Sequence, residues 1–453
     1  MEKKLPHIVV LGAGFGGLEF CKRMAHADAR ITVVDRQNHH LFQPLLYQVA
    51  TAGLSAPDIA EPVRAILARN ANTTVLLDEV LAVDLAARRV RLEQHTLSYD
   101  YLVLALGGVT NYFGHPEWAE FAPGLKSLDD ALHIRRNVLL AFERAECAET
   151  EADRRRLTTI VVVGGGPTGV ELAGAFAELT KVVLKKDFRR IDPAAARVVL
   201  LEAGPRLLAH LPPRLSANAA RRLGDLGVEV RTGVPVRDIR RGEVELADGT
   251  TIPAANIIWA AGVAASPLTH QLGVELDRAG RVRVRPDLSV PGHPEVFAIG
   301  DLALVLDEAG RPVPGVSPAA MQMARHVAKL IQRELRGSTG EHGPDSRPAF
   351  RYWDKGTMAT IGRSAAVAKI GALEVTGWPA WLAWLFVHLI FLIGFDNKLG
   401  VLLQWCYSYL TWKRGARIIT GLSDVPAAAN DARRVAPDDQ HVAPLRADLR
   451  EAA

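Results

Sequence analysis

Two glycine-rich segments have the spacing that a dinucleotide pyrophosphate requires. The first, Gly12-x-Gly14-x-x-Gly17, follows the apolar run His7–Leu11 and precedes a helical pattern that extends to about His26. In such a turn the first glycine permits the tight connection, the second lets the backbone approach a phosphate, and the third brings helix and strand close together. The helix N-terminus then faces the phosphate charge.

A carboxylate follows the next apolar strand in each case. Asp35 comes 23 residues after Gly12, where it can bind the ribose hydroxyls of an adenosine. The second segment, Gly164-x-Gly166-x-x-Gly169, is followed by Glu202 after 38 residues, since a longer helix and a basic loop over residues 185–193 intervene. A carboxylate there would repel a 2′-phosphate, which favours NADH over NADPH.

Two such segments, 152 residues apart, predict two dinucleotide-binding domains rather than one repeated half. A flavin and a nicotinamide are the natural pair, because hydride passes between their rings without covalent protein chemistry. Asp301 supports the flavin: it ends the apolar strand of residues 296–299 and can hold the ribityl–phosphate part.

The elements around these residues read as alternating strands and helices, which predicts an α/β fold with two Rossmann-like dinucleotide-binding domains. Residues 100–107 and 257–262 are matching apolar strands that end in glycine. A single helix is expected over residues 135–156, and a polar linker over residues 334–348.

Composition excludes several classes of protein. The 453 residues are 49% hydrophobic and 23% charged, which rules out a disordered chain. A net charge of +4 gives no case for nucleic-acid binding. Cys21, Cys147 and Cys406 are odd in number and include no C-x-x-C pair, which argues against a disulfide scaffold. The N-terminal apolar run is too short for a cleavable export signal.

The chain resembles the two-dinucleotide-binding-domain flavoproteins and, more narrowly, the type II NADH:quinone oxidoreductases, over residues 6–420. The resemblance implies non-covalent FAD in the first domain, NADH as the substrate of the second, and a membrane quinone as acceptor. Hydride would pass from nicotinamide C4 to flavin N5, and the quinone would then be reduced by two electrons without proton pumping. The matching segments are residues 38–51, 164–174, 259–263, 299–301 and 352–362.

The resemblance also implies domain boundaries and a set of binding residues. The FAD domain spans residues 1–120 and 276–345, the NADH domain 121–275, and a membrane-associating helical region 346–423, before a disordered tail at 424–453. No metal site is expected. The cofactor-binding residues implied are Gly12, Ala13, Gly14, Phe15, Gly16, Gly17, Asp35, Arg36, Val80, Ala105, Gly164, Gly166, Gly169, Glu202, Gly262, Asp301, Ser317, Pro318 and Lys355.

Three residues are implied in catalysis. Glu171 would deliver protons near the flavin and quinone, and Lys355 would stabilise negative charge on the reduced flavin ring. Gln322 could donate a hydrogen bond to a quinone carbonyl. One position departs from the family pattern, because Pro318 stands where a glutamine is usual and offers neither a side-chain donor nor an N–H.

Two uncharged stretches near the C-terminus, residues 375–395 and 399–412, predict contact with a membrane. An interfacial pair of helices, a true span and a buried dimer interface all fit the pattern. In the interfacial arrangement Trp405, Tyr409 and Trp412 lie at headgroup level, followed by Lys413, Arg414 and Arg417 for anionic lipids. The resemblance favours peripheral attachment to the cytoplasmic face of the inner membrane, and a homodimer.

Other functions share this fold. Disulfide reductases and sulfide:quinone reductases need cysteine arrangements that this chain lacks, and ferredoxin-type reductases do not need the tryptophan-rich C-terminus. A non-catalytic membrane flavoprotein that senses NADH remains an alternative.

Overall fold

A computed structural model of the protein describes residues 5–337, 346–411 and 416–420, without the side chains of residues 395, 396 and 408–410. Contacts divide the chain after Arg417, and only residues 418–420 of the second unit are described. The predicted tail at 424–453 and the middle of the predicted linker lie outside the described residues. The α-helices are α1 Phe15–Arg23, α2 Leu46–Ala50, α3 Val63–Ile66, α4 Leu128–Cys147, α5 Glu151–Thr158, α6 Pro167–Glu178, α7 Pro213–Asp225, α8 Ser317–Leu335, α9 Trp378–Phe391 and α10 Phe395–Thr411.

The strands are short, and ten of the 25 in the described residues belong to the two sheets that carry the glycine turns. In chain order they are β1 His7–Leu11, β2 Arg30–Asp35, β3 His39–Leu41, β4 Ala60–Pro62, β5 Thr73–Leu77, β6 Val80–Asp84, β7 Arg89–Leu92, β8 Thr96–Ser98, β9 Tyr101–Leu104, β10 Gly108–Thr110, β11 Ile160–Val163, β12 Val198–Glu202, β13 Val228–Thr232, β14 Val236–Arg240, β15 Glu243–Leu246, β16 Thr251–Pro253, β17 Asn256–Trp259, β18 Val263–Ala265, β19 Val282–Arg283, β20 Ser289–Val290, β21 His293–Ala298, β22 Ala303–Leu304, β23 Thr357–Thr360, β24 Ala366–Ile370 and β25 Leu373–Gly377.

The first sheet has the strand order β20-β21-β9-β1-β2-β5, and all pairs except β20–β21 are parallel. Every residue of β1 is buried, which explains why this strand is an uninterrupted apolar run. The sheet takes strands from residues 7–104 and from residues 289–298. A segment that contains the second glycine turn is therefore inserted between them.

The second sheet repeats the centre of the first. Its order is β13-β12-β11-β17 with every pair parallel, so β12, β11 and β17 correspond to β2, β1 and β9. The predicted α/β class with two Rossmann-like units is confirmed, and the domain boundaries themselves stay predictions. In both sheets the glycine turn follows the central strand, at the carboxyl edge where such sheets bind ligands.

The helix expected over residues 135–156 is wrong as a single element. Helix α4 begins earlier, at Leu128, and a break after Cys147 separates it from α5. Thr150 explains the break, because its side chain accepts a hydrogen bond from Asp153 N and so caps a new helix. Helix α1 also ends at Arg23, three residues before the expected end.

The C-terminal region is a three-stranded antiparallel sheet, β23-β24-β25, followed by α9 and α10. The uncharged stretch of residues 375–395 begins in β25, so α9 has only 14 residues. Among the described helices, none combines the length and the hydropathy needed to traverse a bilayer. The polar residues Asn397 and Lys398, expected to separate two helices, lie in the first turn of α10.

Candidate functional site: two dinucleotide cradles and a buried carboxyl pocket

The two glycine turns have the same geometry. Gly12 and Gly164 have φ of +99° and +114°, which favours glycine. A Cβ on Gly17 would lie 1.8 Å from Gly12 O, and one on Gly169 would lie 1.8 Å from Gly164 O. These glycines therefore let each helix begin directly against its strand.

The middle glycines face open space. A Cβ on Gly14 or on Gly166 would meet no atom within 4 Å, and both residues have extended backbone that any residue can adopt. Neither glycine is required by the folded chain itself. A ligand that approaches the helix N-terminus closely explains both, as a pyrophosphate does.

The two strand-end carboxylates also repeat. Asp35 accepts hydrogen bonds from Ala13 N at 2.6 Å and from Gln37 N at 2.8 Å. Glu202 accepts from Gly165 N at 2.6 Å and from Gly204 N at 2.6 Å. Each carboxylate is thereby fixed beside its glycine turn, where a ribose would lie. Arg36 follows Asp35 and is exposed.

The remaining predicted flavin residues lie around the first cradle. Ala105 follows β9, and its carbonyl oxygen would be 2.4 Å from a Cβ on Gly12. Asp301 lies in a short 3-10 turn after β21, and its carboxylate would be 3.2 Å from a Cβ on Gly108. Val80 begins β6 and packs against the core of the first sheet.

Gly262 follows β17 near the second cradle, as Ala105 follows β9 near the first. It has φ of +72°, and a Cβ there would lie 2.6 Å from the ring of Phe113.

Helix α8 begins near the first cradle. Ser317 and Pro318 are its first two residues, so the missing N–H of Pro318 leaves no helical hydrogen bond unmade. A Cβ on Gly16 would lie 3.6 Å from Ala320 O, which brings the beginning of α8 against α1. The N-termini of two helices therefore lie close to the same cradle.

Gln322 and Lys355 are brought together by Trp353. The Gln322 amide donates to Trp353 O at 3.0 Å and accepts from Trp353 N at 2.9 Å. Lys355 Nζ lies 5.4 Å from the Trp353 ring centroid and 5.5 Å from that of Phe391 in α9. The amide oxygen and one amide N–H of Gln322 are engaged by Trp353, which ties the beginning of α8 to the loop that carries Lys355.

Glu171 lies in a buried pocket. Its α6 approaches β23 closely, since a Cβ on Gly174 would lie 2.7 Å from Gly362 N. Thr360 N is 3.4 Å from Glu171 Oε1. The pocket is lined by Tyr47, Gln48, Thr51, Gly53, Glu171, Ala175, Glu178, Val183, Thr360, Gly362, Arg363, Trp384 and Trp405.

Burial raises the pKa of Glu171 to about 8. The Thr360 amide and the Trp384 indole N–H act in the opposite direction. At neutral pH this carboxyl therefore holds a proton. A protonated acid in a pocket can donate to an oxygen that gains negative charge.

The prediction that Trp405 lies at headgroup level is wrong. Its side chain is buried, and its indole N–H donates to Gln48 Oε1 at 2.9 Å. Trp384 is also buried and stacks on His388 with ring centroids 4.1 Å apart. The reason is that an indole satisfies its N–H inside the pocket while its rings fill the space between α9 and α10.

His40 is a buried residue of the first cradle that sequence reasoning missed. Its Nδ1 lies 3.1 Å from Ala13 O, and its Nε2 is buried without a hydrogen-bond partner among the described residues. Burial lowers its pKa to about 4, so the ring is neutral and donates from Nδ1. In the second cradle the matching carbonyl, Gly165 O, accepts from Leu208 N instead.

Glu178, Trp384 and Gln48 are further lining residues that were not singled out. Glu178 lies two helical turns after Glu171 on α6, so the spacing alone indicates that the two carboxyl groups share one face of the helix. Within the described residues, no group of three His, Cys, Asp or Glu side chains could hold a metal ion.

Comparison with known proteins agrees with this geometry. The family model described as pyridine nucleotide-disulphide oxidoreductase matches residues 6–324. The chain is 48% identical to the type II NADH:quinone oxidoreductase Ndh of Mycobacterium tuberculosis, over 91% of this chain and 90% of that protein. It is 46% identical to NdhA of the same organism, over 91% and 89%.

A solved structure has the same fold. The structure of NDH2 from Plasmodium falciparum in complex with RYL-552 superposes with a TM-score of 0.82 at 20% identity, and the match covers 92% of this chain and 100% of that chain. At this identity the likeness establishes the fold alone.

Proposed function

The chain belongs to the type II NADH:quinone oxidoreductases, within the pyridine nucleotide-disulphide oxidoreductase family, and from this membership we propose that it oxidises NADH and reduces a membrane quinone. The observation that carries the proposal is the pair of matching cradles beside a pocket with a protonated, buried Glu171. The cradles bind the two dinucleotides, and the pocket supplies a proton to the acceptor.

The first cradle fits FAD. Gly14 leaves space for a phosphate at the N-terminus of α1, and Asp35 is held where it can bind a ribose. The buried Nε2 of His40 has no hydrogen-bond partner among the described residues and can accept a hydrogen bond from FAD. FAD, when bound, supplies a ring that takes hydride from NADH and passes two electrons to a quinone. The residues that would hold it are Gly12, Ala13, Gly14, Phe15, Gly16, Gly17, Asp35, Arg36, Val80, Ala105, Asp301, Ser317, Pro318 and Lys355.

The second cradle fits NADH better than NADPH. Glu202 places a negative charge where a 2′-phosphate would lie. The nearest candidate to neutralise it, Arg206, donates to the carbonyls of Leu211 and Ala209, both at 2.6 Å. Its guanidinium is therefore engaged by the protein, and Gly164, Gly166, Gly169 and Gly262 shape the remaining wall.

The pocket around Glu171 suits a quinone headgroup. Tyr47, Trp384 and Trp405 give it aromatic walls, and the neutral carboxyl holds a proton for a quinone oxygen. Gln322 fixes the Trp353 loop, which keeps the Lys355 ammonium near the reacting rings and stabilises negative charge there.

Two stripes of exposed apolar side chains support attachment to a membrane surface. Trp378, Leu382, Phe386 and Ile390 recur every four residues on α9, and Leu399, Leu403 and Tyr407 do so on α10. Such helices lie in the interface plane with one face in the lipid. We propose a peripheral protein on the cytoplasmic face of the inner membrane, and a homodimer, which light scattering in detergent would check.

The proposal is tested by separating the two half-reactions. The purified protein, reconstituted with FAD, is mixed anaerobically with NADH and then with a short-chain quinone in a stopped-flow spectrometer. We expect the flavin absorbance to be lost with NADH, faster than with NADPH, and to return with the quinone. Protein that stays colourless after reconstitution, or reduced flavin that the quinone does not reoxidise, would overturn the proposal.

A further inference from the structure

A cluster of cations lies on the loop that follows α6. Lys185, Lys186, Arg189 and Arg190 are all exposed, and among the described residues none of them forms an ion pair. We name residues 185–190 the basic loop. Its one acid, Asp187, is paired with Arg417, so the four cations keep their charge.

The inner side of the basic loop is anchored to α4 by hydrogen bonds and by an aromatic contact. Glu146, near the end of α4, accepts hydrogen bonds at 2.9–3.1 Å from the backbone N–H groups of Arg189, Arg190 and Ile191. The Phe188 ring packs against Phe142 with centroids 6.0 Å apart. The carboxylate and the ring anchor the loop from inside, so the cationic side chains remain on the outer surface.

Two observations place the basic loop near α10. Val183, two residues before the loop, lines the same pocket as Trp405 of α10. Arg417 pairs with Asp187 in the loop and lies six residues after the end of α10, a length that spans at most about 20 Å of extended chain.

We propose that the basic loop docks on the phosphate groups of anionic lipids, as a second attachment site beside α9 and α10. Lipid headgroups lie directly outside the hydrocarbon that the exposed apolar stripes would enter, and a basic loop near α10 is suited to meet them. Four exposed cations match a negative lipid surface, and their attraction to it is screened by salt. Docking there would hold the mouth of the Glu171 pocket toward the bilayer. The inference rests on the proposed membrane function.

The test is vesicle binding of the FAD-loaded full chain. The probe is vesicles of phosphatidylglycerol and phosphatidylcholine in equal parts, compared with vesicles of phosphatidylcholine alone. The variant Lys185→Gln, Lys186→Gln, Arg189→Gln, Arg190→Gln keeps the backbone N–H groups that Glu146 binds. We expect it to bind the anionic vesicles about 10- to 100-fold more weakly than the wild type and to lose most of the salt dependence. Binding to phosphatidylcholine alone should not change.

A charge-matched control separates local from overall charge. The same four-fold replacement by glutamine is made at exposed arginines elsewhere on the surface, and it should leave binding to anionic vesicles within about twofold of the wild type, as expected for charges away from the contact surface. A loss equal to that of the loop variant would overturn the proposal, as would unchanged binding of the loop variant. The control positions are Arg89, Arg91, Arg221 and Arg278, which are exposed and form no ion pair among the described residues.

A second variant and a second readout keep the outcome clear. Lys185→Gln with Lys186→Gln precedes the Glu146 contacts and should give roughly half of the effect on a logarithmic scale. Turnover of NADH with a short-chain quinone in the absence of lipid should be unchanged in all variants. If the wild type itself shows no such turnover, the proposed function fails; if turnover is present and lipid preference is absent, only the lipid proposal fails.

Discussion

Burial keeps the proton of Glu171 in place, although the nearby Thr360 amide favours the ionised carboxylate. Glutamine preserves the shape of the side chain and removes the acid. We expect Glu171→Gln to lower quinone turnover by about 10²- to 10⁴-fold, the usual contribution of a general acid. Flavin reduction by NADH should keep its rate in the stopped-flow experiment, and a loss of both half-reactions together would contradict the assignment.

The raised pKa of Glu171 also fixes the sign of two pH effects. The quinone half-reaction should slow as pH rises through about 8, because the donor loses its proton, and Glu171→Gln should lack this inflection. Between 4.5 and about 8 the folded protein binds a proton that the unfolded chain has lost, so this group's contribution to stability falls as pH rises across that window. Denaturant unfolding of the apoprotein at both ends of the window would measure it against the glutamine variant.

His40 has a role that can be tested without assaying turnover. In His40→Phe the ring still packs against Phe15, but Ala13 O loses its donor. Phenylalanine also removes the Nε2 acceptor of the cradle, so we expect FAD to be retained about 5- to 25-fold more weakly, which corresponds to one or two neutral hydrogen bonds. Equilibrium dialysis of the flavin measures the change, and an unaltered dissociation constant would show that His40 does not support the turn.

At the scale of elements, the two glycine turns predict a paired experiment. Gly14→Ala and Gly166→Ala cause no steric clash in the folded chain, so each variant should unfold at nearly the wild-type temperature. Gly14→Ala should lower the flavin content, because a methyl group then meets the pyrophosphate. Gly166→Ala should keep its flavin and raise the KM for NADH. If Gly14→Ala instead raised the KM for NADH and Gly166→Ala lost its flavin, the two dinucleotides would have to be assigned to the opposite cradles.

Local elements were predictable where the signal is local. The strand–glycine–helix units follow from six consecutive residues and their apolar neighbours, so both cradles could be located from the sequence. The break in the helix of residues 135–156 was also encoded locally, in Thr150 and Asp153, and was missed because the charged residues on either side continue a helical pattern.

The pocket around Glu171 could not have been located from neighbouring residues in the sequence. Gln48 and Trp405 are 357 residues apart in the chain, and only the packing of α10 brings them together. Trp405 was predicted to be an interface anchor because a tryptophan near charged residues is typical of a headgroup layer. Trp405 turns inward because the folded chain supplies a hydrogen-bond acceptor, Gln48 Oε1, for its indole N–H.

At the scale of the whole molecule, attachment to lipid should depend on the exposed apolar stripes. Replacing Leu382, Phe386 and Leu403 with serine removes three side chains whose full burial contributes about 1.5–3 kcal/mol each. The buried Trp384 is untouched, so the fold should survive. We expect the variant to remain in the supernatant after sedimentation with vesicles.

The matched control for this variant replaces exposed leucines on other elements with serine, and it should sediment with vesicles like the wild type. Equal loss in the control, or none in the stripe variant, would show that α9 and α10 are not the attachment face. The control positions are Leu5, Leu77 and Leu306.

The two inward-facing indoles of the pocket have an optical consequence. Trp384 and Trp405 lie with ring centroids 5.9 Å apart, and both line the pocket proposed for the quinone. Quinones accept energy and electrons from excited indoles at such distances. The intrinsic fluorescence of the protein should therefore be quenched as the quinone is added, which gives a binding isotherm in the absence of NADH.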